Sequence, residues 1–431
     1  MRLNFRNLSF AFALLFSFCQ SCKKEEIIES SGIIGPTQVC FGEQGVEYSI
    51  NFSNPVDYVI WSVPEGSEIV SGQGTTKIIV NFGSNEGQIE AQVSNNNTLG
   101  KSNSIAITFG CFQDIICRIK DFPGSARKSV FSFSTGNKAY VGGGYGYNAA
   151  SGSFYSDFTD LWEFDGTTET WSQKADFSNI TFGIYNSNNS FVINSDFYVI
   201  TSGLGISGNS TQCYSPQTNT WTSKADFPGN NYYGSACFTA AGKGYICCGD
   251  GNSTTVPIGA SYYSQKVYEY NAQNDTWTNK NDFIGSSRTY TKGFSIGADG
   301  YLAGGENLIE NGAIDNYSTL SDVWKYNPVN DSWIQQNNLP NSFPYSYSKF
   351  VGMDNCAYLL AGDYSNIAKV YKFKPAENNV WKEIIDLNNK FTYGLTAFRI
   401  NDKIYFGQGE FTQTQIGNPY SNRMYKFCVE Q

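Results

Sequence analysis

Four acidic side chains recur at one place in the C-terminal three quarters of this chain: Asp250, Glu306, Asp363 and Glu410 each directly follow a glycine. Two arginines, Arg127 and Arg288, occupy matching positions in two of the connections between repeats. Carboxylates and guanidinium groups gathered on one rim can bind a polar ligand or a cation, or do acid/base work once burial raises a carboxyl pKa. The same residues also read as turn carboxylates that hydrogen-bond a neighbouring loop, because the position belongs to the repeat itself. Tyr145, Tyr147, Phe154, Tyr155, Tyr262, Tyr263, Tyr317, Tyr364 and Tyr420 lie nearby among Gly, Ser and Asn. That mix suits stacking and hydrogen bonding against sugars or another protein.

Composition narrows the chemistry. The 431 residues contain no histidine. Imidazole-based triads, and zinc or copper sites with nitrogen ligands, are thereby excluded, and neither a metal nor a cofactor is expected. Any catalysis would rest on carboxylates, Tyr, Lys, Arg or Cys. A balance of 29 basic against 38 acidic residues, net −9, repels phosphate backbones and argues against a nucleic-acid partner. Aromatic residues at 16%, charged residues at only 16% and 43 glycines favour many short strands and turns, hence an all-β fold. The length predicts two or more folding units.

The elements that must position the site come from a repeat. An acidic or amide residue followed by an apolar one recurs at Asp121-Phe122, Asp176-Phe177, Asp226-Phe227, Asp282-Phe283, Asn338-Leu339 and Asp386-Leu387, at spacings of 55, 50, 56, 56 and 48. Trp171, Trp221, Trp277, Trp333 and Trp381 stand six residues before the last five of these pairs' apolar members, and Ile116 before the first. Phe164, Tyr214, Tyr270 and Tyr326 precede their tryptophans by seven residues, and Phe373 precedes Trp381 by eight. Tyr140, Tyr198, Tyr245, Tyr301, Tyr358 and Tyr405 each open a further strand, with a glycine four residues later in all but the second copy, where Ser202 stands. The strand Met424–Phe427 has no tryptophan after it, and Ile116 to Phe122 has no aromatic strand before it, so the two ends complete each other.

Tyr in a second strand, Gly at its end, an aromatic in a third and Trp in a fourth resembles the kelch repeat over residues 116–431. The resemblance implies a six-bladed kelch β-propeller, in which a ring of four-stranded blades buries what a single blade cannot. In such a ring Cys117 and Cys428 would lie on neighbouring strands, and a disulfide between them would close a loop of roughly 300 residues. Length variation falls in the second-to-third connections, residues 145–160, 250–265, 306–322 and 410–423, which chain direction puts on one face with the connections between blades. That face is the candidate site, since function concentrates in variable loops on rigid scaffolds.

Before the repeat, residues 35–110 alternate apolar and polar residues in runs such as Val46–Ile50, Tyr58–Val63, Lys77–Phe82 and Gln88–Val93. About seven short strands suit a small β-sandwich. With Gly35-Pro36 at its start, Trp61 in mid-domain and Gly72-Gln73-Gly74-Thr75-Thr76 before a strand, the stretch resembles PKD-like, Ig-like modules, whose implied role is spacing or docking. Cys40 could meet Cys111 at its edge. Further upstream, Arg2 and Arg6 precede the apolar run Leu8 to Phe18, a signal peptide over residues 1–21. Ser21-Cys22 followed by Lys23, Lys24, Glu25 and Glu26 resembles bacterial lipoprotein signals of the Bacteroidetes type, which implies lipidation at Cys22, a tether over residues 22–34 and an outer-membrane lipoprotein, periplasmic or surface-exposed. Simple secretion is the alternative. Either route places the nine cysteines left after Cys19 and Cys22 in an oxidising space, with at least one unpaired. For Cys237, Cys247 and Cys248, around the Gly242 turn, buried thiols and a bond are both open.

The expected protein is a monomeric, lipid-anchored binding module for a glycan or protein, with Arg127, Tyr145, Asp250, Arg288, Glu306, Asp363 and Glu410 as ligand contacts. Contact with the membrane would be through the lipid alone. The alternative is a sugar-processing enzyme of the kelch mutarotase or epimerase type; kelch copper oxidases need histidine ligands that this chain lacks.

Overall fold

The computed structural model describes residues 30–95, 98–110, 115–148, 153–177, 189–202, 209–229, 234–251, 262–309, 316–340, 348–362, 368–387, 394–410 and 420–429. Cys22, Cys111, Asp363 and Tyr364 lie outside them, as does the apolar run at the start. Among the described residues every regular element is a strand, and no helix is long and apolar enough to cross a membrane. The chain divides into two compact units, residues 1–109 and 110–431.

The first unit has two four-stranded sheets. Alternation along Val46–Phe52 and Tyr58–Ser62 sends Tyr48, Ile50, Val59 and Trp61 into the shared core with Ile78, Val80, Ile89 and Ala91. Buried polar atoms are met: Trp61 Nε1 donates to Thr75 O at 2.7 Å, and Tyr48 Oη donates to Pro36 O at 2.8 Å. The Gln73 side chain caps both backbone groups of Trp61, its Oε1 accepting at 3.0 Å and its Nε2 donating at 2.9 Å. Eight strands form here where about seven were expected. The additional strand is Ser30–Ile34, antiparallel to Val46–Phe52, so the C-terminal end of the expected tether belongs to the sandwich.

Among its described residues the second unit contains six four-stranded antiparallel sheets, and in five of them the strands follow chain order from first to fourth. The sixth takes Thr396–Ile400, Lys403–Gly407 and Met424–Cys428, and borrows its fourth strand, Cys117–Arg118, from the unit's start; Cys117 pairs with Lys426 and Arg118 with Tyr425. The repeat maps onto this register directly. Phe164, Tyr214, Tyr270, Tyr326 and Phe373 stand opposite Trp171, Trp221, Trp277, Trp333 and Trp381 across third and fourth strands. All six second-strand tyrosines are buried, each contributing about 1.5–3 kcal/mol of apolar burial. The Tyr140 and Tyr245 hydroxyls donate to Glu163 and Glu269 at 2.6 and 2.7 Å.

The first strand of each sheet lies against the first strand of the next, and Thr396–Ile400 of the sixth lies against Phe131–Thr135 of the first. Hydroxyls stitch these seams: Ser295 Oγ donates to Thr239 O at 2.8 Å, and Ser132 Oγ to Ala397 O at 3.0 Å. The close approach excludes side chains at points; a Cβ at Gly352 would sit 1.7 Å from Ser295 O. The starts of all six first strands line one cavity of about 210 Å³.

Cys40, Cys117 and Cys428 are disulfide-bonded, whereas Cys213, Cys237, Cys247, Cys248 and Cys356 are free thiols. Cys117 faces Lys426 across the ladder, with Cys428 two residues further along that strand. Cys247 and Cys248 are buried thiols with Sγ atoms 3.2 Å apart.

Candidate functional site

Two seams carry the sequence-predicted residues, one between the sixth and first sheets and one between the third and fourth. At each, the segment entering the new sheet pairs with the start of that sheet's second-to-third connection. Arg127–Lys128 pairs with Tyr145–Gly146, and Thr289 pairs with Glu306. The preceding sheet is tied in through the same segment, as Gly409 N donates to Arg127 O and Gly249 N to Arg288 O, both at 2.8 Å. This passage explains the glycines that end the second strands. Gly144 and Gly305 adopt φ of +78° and +108°, and a Cβ on them would lie 2.5 Å from Lys128 O and 2.7 Å from Thr289 O.

Arg127 and Arg288 are clamps inside this framework, 1% and 0% exposed. Arg288 donates from Nε to Ser286 O at 3.0 Å, from Nη1 to Gly304 O at 3.0 Å, and in a fork to Asp322 at 2.6 and 2.8 Å. Arg127 repeats the pattern with Ser125 O, Gly143 O and Asp160. Each guanidinium also lies over an aromatic ring, 3.9 Å from the Phe158 centroid and 4.8 Å from that of Phe283. Burial pushes the Asp160 and Asp322 carboxyls up, but the arginine bonds outweigh it and hold both below the usual range. Trp162 and Trp324 add Nε1–H donors to these carboxylates at 2.7 and 2.6 Å. The arginines expected to meet a ligand are thus spent on internal partners. The sequence offered a signal for this: Asp160 and Asp322 follow their arginines by 33 and 34 residues, and a tryptophan stands two residues after each.

The seams differ in what surrounds the clamp. Between sheets six and one, the buried Lys128 ammonium pairs with Glu410 and lies 5.2 Å from the Tyr145 ring centroid. Tyr145 in turn meets Tyr420 edge-on at 6.5 Å. Burial would lower the Lys128 pKa, but Glu410 and Tyr145 reverse this and raise it. Glu410 is therefore a neutralised carboxylate, in line with the plainer reading of the repeat's acids.

Between sheets three and four, Thr289 stands where Lys128 stands in the other seam. Asp250 pairs through its backbone with Tyr263, as Glu410 does with Tyr420. Tyr263, only 9% exposed, has its hydroxyl pushed up by burial and by Tyr317, Asp250, Glu306 and Tyr290 around it. Burial raises the Glu306 carboxyl, and the Lys292 ammonium opposes that rise. Tyr317 is 52% exposed on the arm formed by Asp299–Ile309 and Asn316–Asn327, whose pairing runs out to Ile309 opposite Asn316. Here the structure brings together Asp250, Glu306, Tyr263 and Tyr317, with carboxylates, phenols and one open aromatic face. The stretches 145–160 and 306–322 are thus largely hairpin arms, not loops.

The expected contacts do not form one pocket. Arg127, Tyr145 and Glu410 belong to one seam, Asp250, Arg288 and Glu306 to the other. Two residues not predicted as contacts are Lys292 and Lys349, each two positions before the first-strand residue that faces a repeat tyrosine, Phe294 opposite Tyr301 and Val351 opposite Tyr358. Aligning the repeats on those tyrosines would have placed the lysines side by side. Among the described residues, no group of three or more Cys, Asp or Glu is arranged to hold a metal ion.

Residues 27–107 match the PKD-like domain family, which agrees with the two-sheet unit. No curated protein matches the chain.

Proposed function

We propose that the second unit is a six-bladed propeller of the kelch kind and works as a binding module for a hydroxyl-rich ligand, a glycan, at the seam between sheets three and four. Support for the propeller comes from the repeated Tyr, Gly and Trp positions, the six sheets, the strand exchanged between the unit's ends, and the contacts running from each first strand to the next. The observation that carries the function is the grouping of Asp250, Glu306, Tyr263 and the exposed Tyr317 where the equivalent seam has a neutralising lysine. Carboxylates there accept from sugar hydroxyls, while an aromatic face stacks on a pyranose ring. Acid/base turnover has less support, because both arginines are occupied internally and Glu306 and Glu410 stand at separate seams. The amino-terminal features complete the proposal: export, lipidation at Cys22, outer-membrane display of a monomer, and the PKD-like domain as spacer.

The test is a glycan array followed by calorimetric titration of the chain beginning at Lys23, which keeps the strand Ser30–Ile34. Glu306→Ala and Tyr317→Ala are expected to weaken binding by more than about tenfold, and Glu410→Ala by less than about twofold. No glycan binding by folded protein would overturn the reading and point to a protein partner. Equal losses in Glu306→Ala and Glu410→Ala would move the site away from this seam.

A further inference from the structure

The cavity at the first-strand starts has an uneven electrostatic make-up. Its lining includes Lys292 and Lys349, in adjacent sheets at equivalent repeat positions, and no Asp or Glu. Hydroxyls supply much of the remaining wall, among them Ser190, Ser235, Thr291 and Ser348. Ser348 is 1% exposed, and its Oγ has no hydrogen-bond partner. No ion pair engages either ammonium among the described residues. An unpartnered buried hydroxyl costs about 1–3 kcal/mol, and two confined like charges repel, so the wall suits an acceptor-rich, negative group.

We infer that this cavity is a binding site for a tetrahedral oxyanion, phosphate or sulfate, free or carried by a small ester, held by Lys292 and Lys349 and oriented by the Ser348 hydroxyl. Lysine ammoniums act as point charges toward such anions, and a dianion offsets both at once. The volume of about 210 Å³ admits the anion with some of its hydration or a short ester arm. The groups acting on the pair agree. Burial, then the Lys349 charge, lowers Lys292 to about 7, against the pull of Glu306, and burial lowers Lys349 to about 8. The Cys237 thiol in the same wall is pushed up by burial and stays neutral. A bound anion would restore both lysines toward their ordinary values, so affinity rises as pH falls. The cavity adjoins the Tyr317 seam through the attraction between Lys292 and Glu306, but the proposal stands whether or not a glycan binds at that seam.

The experiment is calorimetric titration of the full mature chain with inorganic phosphate, inorganic sulfate and glycerol phosphate, in low salt, at about pH 6 and about pH 9. Saturable binding is expected at the lower pH, more than about tenfold weaker at the higher. Lys292→Met and Lys349→Met should each weaken it by about tenfold, and the double variant should abolish it while remaining at least as resistant to urea, since two confined like charges are removed. Tyr317→Ala should leave it unchanged. Competition by glycerol phosphate would assign the site to an ester-borne group, and its absence to the free anion; both outcomes support the lysine pair. No saturable binding at about pH 6, or undiminished binding in a folded double variant, would overturn the proposal.

Discussion

The seam between sheets six and one and the seam between sheets three and four share one backbone arrangement and diverge in charge. Both hold a buried arginine forked onto an aspartate, with an indole N–H on that carboxylate and a backbone bond to the preceding sheet. One then places Lys128 against Glu410, while the other has Thr289 there and gathers Asp250, Glu306 and Tyr263. Identical scaffolding with different occupants separates what the repeat needs to fold from what one copy is free to vary. A clamp present at both seams is a folding device; a charge pattern present at one is a candidate for specificity.

The comparison breaks first at the clamps. Arg127→Ala and Arg288→Ala should each cost about 3–5 kcal/mol in urea unfolding, because either leaves a largely buried aspartate without its charge partner. A large difference between them would show that the seams are not equivalent. Lys128→Met should cost less, about 1–2 kcal/mol at neutral pH, since Glu410 keeps partial contact with water. Lys128 has a raised folded pKa, so its contribution is complete below the unfolded value of 10.5 and is lost as pH rises through the folded value. The stability gap between wild type and Lys128→Met should therefore narrow only in strongly alkaline solution.

The third and fourth sheets predict the opposite sign. Glu306 has a raised folded pKa, so it favours the fold below its unfolded value of 4.5 and loses that contribution as pH rises through the folded value. Glu306→Gln should accordingly gain about 0.5–1 kcal/mol at neutral pH, and the gain should vanish in acid unfolding curves. Tyr317→Ala should alter stability least, by less than about 0.5 kcal/mol, because half of the ring already faces solvent. A Tyr317→Ala variant that unfolds readily would recast that ring as core and remove it from the site.

Much of the fold was legible because its signals are local. A seven-residue interval between Tyr326 and Trp333 spans one turn and sets the two rings on facing strands, with centroids 4.8 Å apart. The Ile116 and Phe427 ends were legible as halves of one strand pair for the same reason: each lacked what the other supplied. Less of the site could be read. Arg127 and Arg288 look like exposed loop cations until Asp160 and Asp322, over thirty residues away, are seen to take them. Lys292 looks like the ordinary polar residue of an alternating strand, since nothing within its own sheet marks the wall it shares with Lys349. The tether reading failed at Ser30–Ile34 because five residues of mixed polarity become a strand only when Val46–Phe52 offers its edge.

By itself the sequence determined which chemistry is absent and which residues must be inside. The lack of histidine removes imidazole and its metal sites whatever the fold, and alternation with a recurring Tyr and Trp dictates strands whose buried faces are set by the two-residue period. Tertiary structure alone decided which charges are paired and how deeply each is buried. Desolvation and pairing depend on atoms brought together from distant segments, so Glu410 is neutralised through a lysine 282 residues away while Glu306, at a similar place in its repeat, is not.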